Sequence, residues 1–138
     1  MRLGKDKKVE LISRVPLFAK CSKRDLQKIA SVADEIDLPE GRQLTREGER
    51  GREFFVLLDG GAEVRQKGRK LRTLGNGDFL GEIALVSKTP RTATVTTTAP
   101  TRALVITDQA FGSLVRNSPQ IQAGIVEALA ERLAPELL

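Results

Sequence analysis

The 138-residue chain has no histidine, no tryptophan and no tyrosine, and its single cysteine is Cys21. Without histidine it lacks the commonest general base and metal ligand of neutral solution. One thiol closes no internal disulfide and builds no multi-thiolate metal site. A nucleophilic cysteine would ordinarily draw on a histidine, so Cys21 reads as an inert residue at a helix start. The missing Trp and Tyr remove the usual platforms for stacking bases, and the five Phe sit mostly in apolar contexts that suggest core. No apolar run approaches the about 20 residues of a membrane span, and no basic-then-apolar leader opens the chain. A cytoplasmic setting without a membrane partner is therefore expected. No P-loop, Gly-x-Ser-x-Gly elbow or metal-site spacing is present either, so neither an enzyme nor a cofactor or metal is expected.

What charge there is does not point to nucleic acid. Lys and Arg exceed Asp and Glu by 23 to 18, a net charge of +5. Apart from Lys5-Asp6-Lys7-Lys8, however, the basic residues alternate with acids and turn residues. Glu47-Gly48-Glu49-Arg50-Gly51-Arg52-Glu53 is the clearest case and reads as a solvated loop. The excess can instead favour anionic ligands by long-range steering.

With 40% hydrophobic residues, the length suits one domain with a real core. The order is helix, then strands, then helix. Val9, Ile12 and Val15 fit an apolar face ended by Pro16. Ser22-Lys23-Arg24-Asp25 has the form of a capping box before Leu26, Ile29, Ala30 and Ala33, so helices are expected over 8–33. From Asp34 to Thr107 short β-prone runs are separated by Pro39-Glu40-Gly41, Glu47-Gly48, Asp59-Gly60-Gly61, Lys67-Gly68-Arg69 and Gly75-Asn76-Gly77-Asp78. Eight short strands in that space suggest an antiparallel jelly roll over 34–107, in a mainly β α+β fold. Phe54-Phe55-Val56-Leu57-Leu58 is apolar on both faces and belongs in the middle of a sheet, whereas Thr92 to Thr98 alternates and is half exposed. C-terminal helices are expected over 108–134. Asp108 caps the first, Ser118-Pro119 opens the second, Pro135 ends it, and Ile121, Ile125, Leu129 and Leu133 form its apolar stripe. That stripe packs a monomer or a dimer equally well.

The stretch with chemistry in it is Phe79-Leu80-Gly81-Glu82-Ile83-Ala84-Leu85, followed by Thr89-Pro90-Arg91-Thr92-Ala93-Thr94-Val95. Glu82 can accept hydrogen bonds from a ribose hydroxyl, and Arg91 offers a planar, permanently charged fork to a phosphate. Gly81 lets backbone approach a ligand, and Ile83-Ala84-Leu85 suits one turn of helix whose N–H groups face an anion. Pro90 lacks an N–H and drives Thr89 towards an extended conformation, so Arg91 is expected at the start of a strand.

This pattern resembles the phosphate-binding cassette of the cyclic nucleotide-binding domain family. The resemblance extends over nearly the whole chain, including Pro16-Leu17-Phe18, the Glu47-Gly48 turn and Phe54 to Gly60. It implies that Glu82 binds the ribose 2′-hydroxyl and Arg91 the cyclic phosphate. Gly81 and the backbone of Ile83 and Ala84 would complete the cradle, with Thr92 beside the phosphate. It places the base against Val64 and Leu71, two positions that read equally well as barrel core. A last helix that moves over the base needs an aliphatic cap here, with Leu133, Leu137 and Leu138 as candidates and Arg132 within reach. The resemblance implies cAMP as ligand, with cGMP left open. Relatives in that family usually carry an attached effector; none is read in this sequence, so a stand-alone receptor that signals to a separate effector protein through its terminal helices is expected. A sensor portion of a transcription regulator, or an interaction module with a vestigial pocket, are the alternative readings.

Overall fold

The turn residues between Asp34 and Thr107 divide the chain into eight strands, and the computed structural model describes them as two four-stranded antiparallel sheets. The structure is described for residues 3–137, and for side chains through residue 130. One sheet runs β1 (Asp34–Leu38), β8 (Thr101–Thr107), β3 (Glu53–Asp59), β6 (Phe79–Leu80). The other runs β2 (Gln43–Thr45), β7 (Thr94–Thr97), β4 (Ala62–Gln66), β5 (Arg69–Leu74). This is the expected jelly roll, its strands running from Asp34 to Thr107.

Strand alternation decides which side chains meet between the sheets. Leu38, Phe55, Leu57, Leu80, Ala103 and Val105 come from the first sheet, and Ala62, Val64, Leu74 and Val95 from the second. Register fixes these partners, since Phe55 lies opposite Val105 and Leu57 opposite Ala103. The other faces of β3 and β8, with Phe54, Val56, Leu104 and Ile106, are buried as well. That two-sided burial is why Phe54 to Leu57 reads as a continuous apolar run, and β3 has a strand on each side. On β7 the alternation holds, with Val95 and Thr97 buried between half-buried threonines.

Contacts divide the chain into two compact units, residues 34–109 and a helical unit made of the residues up to Ala33 and from Ala110 on. Helix α1 spans Lys5–Ser13 and α2 spans Lys23–Ser31, with a single 3-10 turn, Pro16–Phe18, between them. The first helix thus begins three residues before the expected position. Its opening turn is the charged Lys5-Asp6-Lys7-Lys8 run, in which Lys5, Asp6 and Lys7 are exposed and the half-buried Lys8 donates from Nζ to the Ala33 carbonyl at 3.0 Å, while Glu10 pairs with Lys7 at 3.5 Å and with Arg14 at 2.7 Å. Val15 is buried but lies outside α1, as the residue preceding the 3-10 turn. Ser22 caps α2 as expected, its side chain accepting from the Asp25 N–H at 3.1 Å. The packed centre of this unit includes Ile12, Val15, Phe18, Ile29, Phe111 and Ile121. The Phe18 and Phe111 rings lie 5.7 Å apart at 47°.

Helix α3 spans Asp108–Arg116, with Asp108 inside its first turn rather than ahead of it as a cap. There its carboxylate complements the positive end of the helix dipole. Helix α4 runs Pro119–Leu137, opened by Ser118, whose hydroxyl accepts from the Ile121 N–H at 3.4 Å. Pro135 does not end it, a correction to the expected boundary. The fixed φ of proline is compatible with a helical backbone, and the bond it forfeits and the crowding of its ring against the preceding turn fall within the last three residues of the helix.

Candidate functional site

Strand β6 ends at Leu80, and the next residue, Gly81, turns the chain through φ 84°, ψ 16°. A residue with a Cβ adopts that left-handed conformation only with strain. The reversal feeds directly into a single 3-10 turn, Glu82–Leu85, which buries Ala84 and Leu85 and leaves Glu82 half-buried. The Ala84 N–H donates to the Gly81 carbonyl at 3.0 Å, and those of Val86 and Ser87 to the Ile83 carbonyl at 3.1 and 2.8 Å.

Arg91 lies three residues ahead of β7 rather than at its start. The reason is a competing pairing: Pro90 bridges Arg50, and Arg91 exchanges backbone bonds with the loop before β3. Its N–H donates to Glu49 O at 2.8 Å, and its carbonyl accepts from the Gly48 N–H at 2.9 Å. The side chain then passes between two glycines. A Cβ on Gly51 would sit inside van der Waals contact of the Arg91 Nε and Cζ, and one on Gly81 would overlap Nη1 and lie 2.7 Å from the Glu53 carbonyl. Arg91 Nη2 donates to that same Glu53 carbonyl. Burial lowers the pKa of the guanidinium, and the Glu53 and Glu82 carboxylates oppose the shift. From so high a starting value the group remains cationic.

These segments line an open cavity of about 610 Å³, inside the roughly 300–1,000 Å³ range of small-molecule sites. Gly81, Glu82, Ile83, Ala84, Arg91 and Thr92 line it together, and so do Val64 and Leu71. Val64 also belongs to the core at 7% exposure, whereas Leu71 is 56% exposed and so serves as cavity wall rather than core. Arg132, Leu133, Leu137 and Leu138 lie outside the described side chains. Thr45, Gln66 and Arg72 line the cavity without having been singled out, and Gly51 and Glu53 hold Arg91 without touching this cavity's interior. For Gln66 the signal was available in principle, because it lies two residues from Val64 on β4, whereas Arg72 is brought in by its pairing opposite Val64 across β4 and β5.

Fold and cavity place the chain among jelly-roll domains with a ligand-sized cavity open to solvent. More specifically, it belongs to the cyclic nucleotide-binding domain family, whose model matches residues 35–118. A cGMP-dependent protein kinase of Caenorhabditis elegans is 33% identical over 124 residues, 83% of this chain and 16% of the kinase. A cAMP-dependent protein kinase regulatory subunit of Mycosarcoma maydis is 36% identical over 110 residues, 73% of this chain and 21% of the subunit. The chain thus spans about a fifth or less of these two relatives. Among solved structures, the N-terminal domain of a transcriptional regulator from Streptomyces coelicolor A3(2) superposes with a TM-score of 0.80 at 26% identity. That match covers 91% of this chain and 92% of the other. No described helix is long and apolar enough to cross a membrane.

Proposed function

We propose that the 610 Å³ cavity binds a purine 3′,5′-cyclic nucleotide, cAMP in the first instance, without chemical conversion. The observation that carries the reading is the convergence of Glu82, Arg91 and the Gly81 turn on one cavity. Glu82 takes the ribose hydroxyl, while Arg91, with Thr92 beside it, takes the cyclic phosphate. The peptide groups following Gly81 line the same cradle, and Val64 and Leu71 flank the base. A cGMP reading stands beside it, because relatives named for each nucleotide have similar identity to this chain. The chain acts as a cytoplasmic receptor whose terminal helices pass occupancy to a separate effector. For that, the nucleotide must bind two conformations with different affinity, since equal binding shifts no equilibrium.

Titration calorimetry of the nucleotide-freed protein with cAMP, cGMP and 5′-AMP tests the reading. One cyclic nucleotide should bind well ahead of 5′-AMP. Arg91→Ala should weaken that binding at least tenfold, as expected for a charge-assisted bond of about 1.5–3 kcal/mol. Absence of binding by folded, emptied protein would overturn it.

A further inference from the structure

A second cavity, of about 630 Å³, lies beside the first, with Thr45 and Arg91 lining both. Its walls are every residue from Gly41 to Arg46 and every residue from Glu49 to Glu53. Side chains of a strand alternate between faces, so a groove touching consecutive residues through β2 follows the edge of that strand. β2 is indeed the outer strand of its sheet, with β7 as its one strand neighbour. Such an edge offers backbone donors and acceptors to an added strand.

The groove is also strongly basic. Arg42, Arg46, Arg50 and Arg52 line it, along with Arg91, against the carboxylates of Glu49 and Glu53. Arg46 is engaged by Gln43 and Glu49, and Arg50 by Asp108 at 3.4 Å. The Arg42 and Arg52 guanidinium groups have no partner among the described residues. Positive charge without a counter-charge flanks an open strand edge. No aromatic ring lines the groove to stack a base, and its walls are mostly polar.

We propose that this groove binds an extended acidic peptide segment of a partner protein, which adds a strand to the free edge of β2 between Arg42 and Arg52. Main-chain bonds to β2 supply the alignment, and carboxylates on the added strand pair with the two uncompensated guanidinium groups. The proposal stands independently of the nucleotide reading.

Fluorescence anisotropy tests it with a labelled octapeptide of alternating Glu and Thr, its Lys–Thr counterpart, and two versions of the acidic peptide N-methylated at odd or even positions. The acidic peptide should bind and the basic one should not. At least one N-methylated version should bind tenfold or more weakly, because methylation removes main-chain donors while keeping every charge. The Arg42→Glu, Arg52→Glu double variant should lose at least tenfold. Equal binding of all acidic versions would reduce the groove to a nonspecific positive patch and overturn strand addition, on unmodified protein. Unchanged binding by the double variant, or displacement of the peptide by an oligothymidylate at lower concentration than the peptide itself requires, would also overturn it. Cyclic nucleotide titration of the double variant reports separately on the neighbouring cavity, so one reading can fail without the other.

Discussion

Gly51 is a glycine because of a side chain elsewhere in the sequence, and replacing it should expose that dependence. Its φ lies outside the left-handed region, so alanine is compatible with its backbone. The space is already taken: a Cβ there would lie 2.8 Å from Arg91 Cδ and closer still to Nε and Cζ, where about 3.5–4.0 Å is comfortable. Gly51→Ala therefore forces the Arg91 side chain to move by about 1 Å. Such overpacking costs about 1–3 kcal/mol, offset by about 0.4–1 kcal/mol from the stiffer unfolded chain. Once Arg91→Ala has emptied the slot, only the favourable contribution remains, and Gly51→Ala should be neutral or mildly stabilising.

The two substitutions should thus be coupled by about 1–3 kcal/mol, the range for residues in direct contact. Urea denaturation of the wild type, both single variants and the double variant measures this without any ligand. Additivity of the two substitutions to within about 0.5 kcal/mol would refute the reasoning, because it would mean that Gly51 does not act through Arg91. In the same set, cyclic nucleotide affinity should fall at least tenfold for Gly51→Ala alone and not fall further when it is added to Arg91→Ala.

The second glycine of the slot is held by backbone as well as by Arg91: Gly81→Ala meets φ 84° and the Glu53 carbonyl, so it should destabilise even with Arg91 removed, by about 1–2 kcal/mol in the same urea assay. Ser22→Ala removes the acceptor of the Asp25 N–H at the start of α2 and should cost about 1 kcal/mol, read as a lowered urea midpoint with an unchanged slope. Cys21 has its thiol pKa raised by burial and then by the Asp25 carboxylate, so the unfolded thiol ionises first as pH rises. Stability should therefore be intact near neutrality and decline above about pH 8.5, and Cys21→Ala should flatten that decline in unfolding curves across pH.

The parts of this fold visible in the sequence are those set by local rules. Phe54 to Leu57 announces a strand buried on both faces, and Ser22 announces a helix start, because the physical cause lies within a few residues of the signal. Glu82 and Arg91 were visible as a pair because cassette spacing holds them. Gly51 was not: in a charged loop a glycine suggests a turn, and nothing nearby shows that a distant arginine fills its Cβ position. The start of α1 at Lys5 was hidden for a related reason. A charge run looks solvated whether or not it is helical, and in α1 Glu10 bridges the exposed Lys7 and Arg14 while Lys8 turns in to the Ala33 carbonyl. Leu71 reads as core from its apolar side chain, but β5 is an outer strand and leaves it more than half exposed.

The anchoring of Arg91 bears on how a bound phosphate would be felt elsewhere in the barrel. A guanidinium has five N–H donors, and the Glu53 carbonyl accepts from Nη2. Enough donors remain for two parallel bonds to a phosphate without releasing Glu53. A ligand held in that way need not compete with the protein for Arg91. It would instead be linked through one planar group to the first residue of β3, and Arg91's own backbone is bonded to Gly48 and Glu49 in the preceding loop. A lysine offers a single compact ammonium and cannot hold a carbonyl and a phosphate in one rigid plane. The slot between Gly51 and Gly81 fixes the orientation of that plane, so two residues without side chains determine where the charge of a third is presented. With Arg91 as the phosphate anchor, as proposed, phosphate position and the geometry of residues 48–53 would be a single mechanical variable. Those residues also form one wall of the basic groove along β2.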